Sequence, residues 1–142
     1  MLLDANVLIY AIDERARLHQ AAVAWLTEQL NGSRRVGLPW QSVATFLRIA
    51  THPRVFPQPL APTTAYDRVM DWLSAPVAWI PQPGPEYHRI LGQLITAYNV
   101  GGNLIPDAML AALAIEHGAT LYSADTDFAR FKDLRWENPL QP

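Results

Sequence analysis

The sequence predicts an α/β protein, a short parallel sheet with helices on both faces. Three observations carry that reading. Short apolar runs alternate with stretches whose apolar residues fall at helical spacing. Strands and helices that alternate in this way pack as a parallel sheet between helical layers. The length of 142 residues is that of one domain, and 50% apolar content supplies a core for it.

The elements follow in order. Met1 to Leu3 is a brief buried strand that meets Asp4, and a helix starts near Asn6. Leu18, Ala22, Trp25, Leu26 and Leu30 share one helix face, which Asn31-Gly32-Ser33 ends. Val36 to Leu38 is a second strand. Val43, Phe46, Leu47 and Ala50 face the core from a helix stopped by His52-Pro53. Two proline clusters hold 8 of the 12 prolines; the single short helix between them (Tyr66, Val69, Met70, Leu73) makes them rigid loops rather than linkers. Val77 to Ile80 is a third strand. Tyr87, Ile90, Leu91, Leu94, Ile95 and Tyr98 line the next helix, broken at Gly101-Gly102. Pro106 opens a helix with Met109, Ala112 and Leu113 as its apolar face, and Gly118 closes it. Thr120 to Tyr122, a short helix from Phe128 to Phe131 and a strand from Leu134 to Trp136 complete a single domain over 1–142.

Composition narrows the chemistry. A formal charge of -2 argues against gripping nucleic acid by bulk positive charge, although not against a local grip. The absence of cysteine excludes disulfides, thiol catalysis and cysteine-ligated zinc. The four histidines show no ligand-like spacing. Val7 to Ile12, the longest apolar run near the start, is too short to cross a bilayer, so a soluble cytoplasmic protein without membrane contact is expected.

Ligands of parallel α/β sheets bind beyond the carboxyl ends of the strands. Asp4 lies at that end of the first strand, and Asp125 and Asp127 lie just past the fourth. Asp107 is in the first turn of the helix leading into the fourth strand, where free N–H groups favour a carboxylate. Each has a plain alternative role: Asp4 and Asp125 as helix caps, Asp107 as a helix-dipole carboxylate, Asp127 as a cap beside Asp125. Together they would repel one another unless a cation neutralised them. All-oxygen ligands point to Mg²⁺, with Mn²⁺ as a substitute, rather than zinc. Glu116, nine positions beyond Asp107, faces the other side of the helix and is excluded. Asp13 belongs to the Asp13-Glu14-Arg15 turn, so Asp127 ranks ahead of it as a supplementary acid.

The segment Leu2-Leu3-Asp4-Ala5-Asn6-Val7-Leu8 resembles the opening of PIN-domain ribonucleases. Pro106-Asp107-Ala108 through Glu116-His117-Gly118-Ala119 resembles their C-terminal helix, and Ser123-Ala124-Asp125-Thr126-Asp127-Phe128 the loop after it. With Phe46-Leu47-Arg48-Ile49-Ala50-Thr51-His52-Pro53, the ordered set resembles VapC toxins of type II toxin–antitoxin pairs nearly end to end. The resemblance implies a PIN-like three-layer sandwich, an endoribonuclease acting through metal-activated water, and Asp4, Asp107 and Asp125 as catalytic, metal-binding acids. It makes Asn6 and Ser123 polar supports at the substrate side, and implies a homodimer that binds a VapB-like antitoxin through the apolar helices near Trp25 and Leu47. One position departs: Thr45 stands where the family usually has glutamate, which implies a weaker or more hydrated metal site.

RNA needs basic groups around an acidic pocket. Arg48, which shares a helix with Thr45, is the best substrate-binding candidate, ahead of Arg54, Arg89 and Arg130. Core or interface is the ordinary role of tryptophan, but Trp40 follows Pro39 at a strand end, where it can stack a base. Two competing readings stand beside the ribonuclease. Thr45 motivates a catalytically silent PIN-like binding module. A phosphotransfer enzyme of the haloacid-dehalogenase or receiver type also places Asp after its first strand. The former needs Asp where this chain has Asn6, and both want a late lysine, for which only Lys132 is available.

Overall fold

The computed structural model describes residues 1–141, with Pro142, the last residue of the expected domain, outside them. Five strands of two residues each form one parallel sheet: β1 (Leu2–Leu3), β2 (Val36–Gly37), β3 (Ala78–Trp79), β4 (Leu121–Tyr122) and β5 (Trp136–Glu137). Their order is β3-β2-β1-β4-β5. The chain therefore builds outward from β1 to one side, then returns to build outward from β4 on the other. The crevice between β1 and β4 is the topological switch point where ligands of such sheets bind.

Among the described residues, six helices cover the sheet: α1 (Ala5–Ile12), α2 (His19–Leu30), α3 (Trp40–Ala50), α4 (Pro62–Leu73), α5 (Tyr87–Tyr98) and α6 (Ile105–Glu116). The strand alternation assigns them to two layers. Leu2 and Leu121 are in register and share one core with Ile90 and Leu94 of α5 and the buried residues of α6. Leu3 and Tyr122, their neighbours, share the opposite core with Leu8 of α1, Leu26 of α2, Phe46 of α3 and Val69 of α4. Trp25 and Trp72 complete that second layer, packing 5.0 Å from the rings of Tyr122 and Phe46 respectively.

Several expectations shift by a turn or a face. The helix α5 ends at Asn99 rather than at the glycine pair: Asn99 adopts φ 48° while the Val100 N–H donates to the Ile95 carbonyl. Asparagine tolerates the left-handed region, so the helix stops there before Gly101. Tyr66 is 52% exposed and Met109 37% exposed, so neither belongs to the core face assigned to it. On α4 the core position next to Tyr66 is taken by Ala65. Residues Thr126–Arg130 form a 3₁₀ turn, which starts two residues before the expected short helix and ends one residue before it. The last strand starts later than expected because the Leu134 N–H donates to Phe131 O in a turn, leaving the backbone free to pair only from Arg135 onward.

Candidate metal centre

Asp4 immediately follows β1 and caps α1, its Oδ1 accepting from the Ala5 N–H at 2.7 Å. Its Oδ2 accepts from Ser123 Oγ at 2.6 Å and from Asn6 Nδ2 at 3.0 Å. Ser123, fully buried after β4, is the hub: its Oγ also accepts from Asn6 Nδ2 at 2.9 Å and from the Asp125 N–H at 3.0 Å. Asn6 Oδ1 in turn accepts from the Ala124 N–H at 3.1 Å. The loops after β1 and β4 are thus bonded to each other across the switch point, and every polar atom of Ser123 Oγ and Asn6 has a partner. The Trp136 indole N–H fixes the loop from behind, donating to Ser123 O at 3.0 Å.

Asp125 is both a cap and a member of the site, since its Oδ1 accepts from the Asp127 N–H at 2.8 Å and starts the 3₁₀ turn. The plain and the functional roles weighed for Asp4 and Asp125 therefore coexist in the same side chains. Asp107 approaches from the first turn of α6. Oxygen atoms of Asp107, Asp125 and Asp127 lie within 4.8 Å of one another. Asp4 stands behind this triplet, its carboxylate taken up by three hydrogen bonds. The tightest grouping therefore includes Asp127, which sequence places first as a cap.

The electrostatics record the crowding. Burial, with the charge of Asp125 behind it, holds the Asp4 carboxyl above the ordinary carboxylate range despite the bonds from Ser123 and Ala5. Asp107 is pushed up to about 6, first by burial and then by Asp125, Asp4 and Asp127, with Arg130 opposing. Carboxylates that resist ionising together are the arrangement a cation relieves. The donor set fits a hard divalent ion: all oxygen, half-exposed, and spaced widely enough for an ion that keeps several waters, as Mg²⁺ does.

Among the basic candidates, Arg130 is at the rim, its Nη2 3.3 Å from Asp127 Oδ1. Arg48 is exposed in the last turn of α3, and Arg54 is exposed in the loop beyond it. Arg89 is turned elsewhere: it pairs with Glu86 at 2.5 Å, beside Glu116, at the far end of α6 from Asp107. Glu116 itself latches the loop before α5, accepting from the Gly84 and Glu86 N–H groups at 2.6 and 2.9 Å. A Cβ at Gly84 would lie 2.8 Å from Glu116 Oε2, so a side chain there would push the carboxylate out of its present position. Asp13 bonds within its own turn to Arg15, as expected.

Gln41 is the residue that the sequence reading missed. Its Nε2 donates to Pro106 O at 2.6 Å, tying the start of α3 to the residue before Asp107. Thr45 lies one turn further along the same face of α3, half-buried. Only the placement of α3 directly after β2, at the carboxyl edge of the sheet, could have singled Gln41 out.

Residues 1–134 match the protein-family model described as PIN domain. The chain belongs to the PIN-domain family. Within it, this PIN domain is 42% identical over 138 residues to "Ribonuclease VapC37" of Mycobacterium tuberculosis, covering 97% of this chain and 96% of that protein. It is 40% identical over 140 residues to "VapC ribonuclease Mb2897" of Mycobacterium bovis, covering 99% and 95%. These relatives set it in the VapC branch. Among solved structures, its fold is that of VapBC2 from Rickettsia felis bound to a promoter DNA fragment (TM-score 0.72, 19% identity, 96% of each chain). VapBC-1 from nontypeable Haemophilus influenzae is similar too, with a TM-score of 0.69 and 18% identity over 99% of this chain and 98% of that one.

Proposed function

We propose that this PIN domain is the toxin of a toxin–antitoxin pair and an endoribonuclease that depends on Mg²⁺ or Mn²⁺. The observation that carries the reading is the convergence of Asp107, Asp125 and Asp127 at the switch point with Asp4 behind them, in a chain whose 40–42% identical relatives are named ribonucleases. Asp4, Asp107, Asp125 and Asp127 would hold the ion. When bound, a divalent ion neutralises charge on the phosphoryl oxygens and lowers the pKa of water. Asp4 is kept in one orientation by Ser123 and Asn6, which frees the outer acids to meet solvent and substrate. Asp4, Asp107 or Asp125 would also take the proton released by that water. Asn6 and Ser123 act on substrate through the acids they orient. Arg48 and Arg130 would meet the phosphates around the acidic centre.

The partner reading follows from a second surface. A groove of about 230 Å³ between α1, α2 and α4 is lined by Ile12, Leu26, Leu30 and Trp72, with Arg68 among them. Its apolar floor suits an amphipathic helix, and the solved relatives are VapBC complexes, which supports a VapB-like antitoxin. A cytoplasmic homodimer completes the reading, in keeping with the exposed Tyr66 and Val55. No helix among the described residues is long and apolar enough to cross a membrane.

The deciding experiment incubates the purified chain with RNA in Mg²⁺, Mn²⁺ or EDTA, beside Asp107→Asn and Asp4→Asn. Cleavage by wild type with either ion, lost in EDTA and in both variants, is expected. Wild type that cuts no RNA with either ion would leave the silent binding module instead. Induced expression of wild type and Asp4→Asn provides the cellular counterpart, and equal growth arrest from both would sink the site assignment.

A further inference from the structure

We propose that the uncharged cleft across α6 from the acid cluster is a nucleobase pocket in which Trp40 stacks one base of the RNA; this rests on the ribonuclease reading above. The cleft encloses about 170 Å³, with Trp40, Met109, Pro83 and Tyr87 among its walls and Gln41 and Gln82 lining it as well. Among the described residues, none that line it is an aspartate, glutamate, lysine or arginine. Trp40 leaves 50% of its surface open to solvent, the first residue of α3 at the carboxyl edge of β2. Met109 leaves 37% open on a helix whose neighbouring residues are buried. Two large apolar side chains held open side by side are informative where single exposed ones are not.

The lining selects the ligand. Phosphate finds no cation there and a metal finds no carboxylate. A neutral planar base finds a π face on the indole and two amides for the donors and acceptors of its edge, which is how single-stranded RNA is read. Position agrees. Met109 and Asp107 are two residues apart on α6, so they project to opposite sides, and the cleft and the acid cluster lie about one helix width apart, ~10 Å. Gln41 joins the two, lining the cleft while bonding Pro106 O beside Asp107. A strand with its scissile phosphate at the acids therefore brings a nearby base to Trp40.

The test is cleavage of a single-stranded oligoribonucleotide in Mn²⁺ by the full chain, Trp40→Ala and Trp40→Phe. Each is assayed on intact RNA and on RNAs carrying one abasic residue, placed in turn at the positions flanking the cut. Trp40→Ala is expected to lower kcat/KM about tenfold on intact RNA, with Trp40→Phe retaining most of the rate. One abasic position should cost wild type about the same tenfold and cost Trp40→Ala nothing further, the signature of two groups that act only on each other. Equal cleavage by wild type and Trp40→Ala, or an abasic penalty undiminished in that variant, would overturn the pocket. So would a loss that sedimentation traces to dissociation of a dimer, which assigns the face to a second copy. Wild type that cuts none of the RNAs overturns the ribonuclease reading, and the pocket with it.

Discussion

Ser123→Ala removes one oxygen from the centre of the site, and the structure gives the size of the effect. The hydroxyl is fully buried, donates to Asp4 Oδ2 at 2.6 Å, and accepts from Asn6 Nδ2 and the Asp125 N–H. A hydrogen bond to a charged group contributes about 1.5–3 kcal/mol, and a buried donor left without an acceptor costs about 1–3 kcal/mol. Asn6 Nδ2 keeps its bond to Asp4, so one donor, the Asp125 N–H, bears most of the second cost. About 3 kcal/mol follows, near a quarter of the stability of a typical domain. At this chain length the melting temperature in EDTA should fall by roughly 10 °C. The loss has a pH signature. The Ser123 bond lowers the Asp4 pKa and burial raises it. The bond's contribution is therefore present where Asp4 is ionised and is lost as pH falls and Asp4 takes its proton. Melting curves of both proteins from pH 4 to pH 8 should diverge toward the upper end. A constant gap of less than about 2 °C across that range would refute Ser123 as the clamp on Asp4.

Asp107→Asn should act in opposite directions with and without metal. Its carboxyl is raised to about 6 by burial and by its acidic neighbours, so its stabilising contribution is full below its unfolded pKa of 3.8 and is lost as pH rises through 6. In EDTA at pH 7.5 the variant should melt higher, by about 1 kcal/mol once screening of this half-exposed group is discounted, while the stabilisation of wild type by Mn²⁺ disappears. For wild type, calorimetric Mn²⁺ affinity should climb between pH 5 and pH 7, because ion and proton compete for the same oxygens. Gln41→Ala releases Pro106 O, and Mn²⁺ affinity read by thermal shift should drop about tenfold, the usual scale for a residue that orients a ligand. Glu116→Ala leaves the Gly84 and Glu86 N–H groups without their carboxylate and should lower stability by about 1–2 kcal/mol. Its Mn²⁺ affinity should stay at the wild-type value, since the latch is at the other end of α6 from Asp107.

The strand ends and the first turn of α6 were legible because residue type and position agree there: an aspartate after an apolar run, or just after Pro106, can be placed without knowing any long-range contact. The closeness of Asp127 to Asp107 and Asp125 was not legible in the sequence. Proximity there depends on the 3₁₀ turn that folds Asp127 back onto Asp125, and on three hydrogen bonds that occupy Asp4. Met109 was misplaced because α6 is buried on most of its circumference, from Ala108 and Leu110 through Ala114. A helix apolar all round has no single face, so periodicity cannot say which position is left open. Gln41 was invisible because its role is a contact with Pro106, 65 residues away, made by a side chain with no chemical signature of its own.

The strands are two residues long, and this leaves nothing between the core and the chemistry. Leu3 is fully buried and Asp4 is the next residue; Tyr122 is buried and Ser123 follows it. In a longer sheet several residues would absorb a shift in packing before it reached a catalytic side chain. Here a change in the core moves the acid cluster directly, so the folding of this protein and the assembly of that cluster are one event. A chain that has lost its packing therefore cannot hold the four aspartates together.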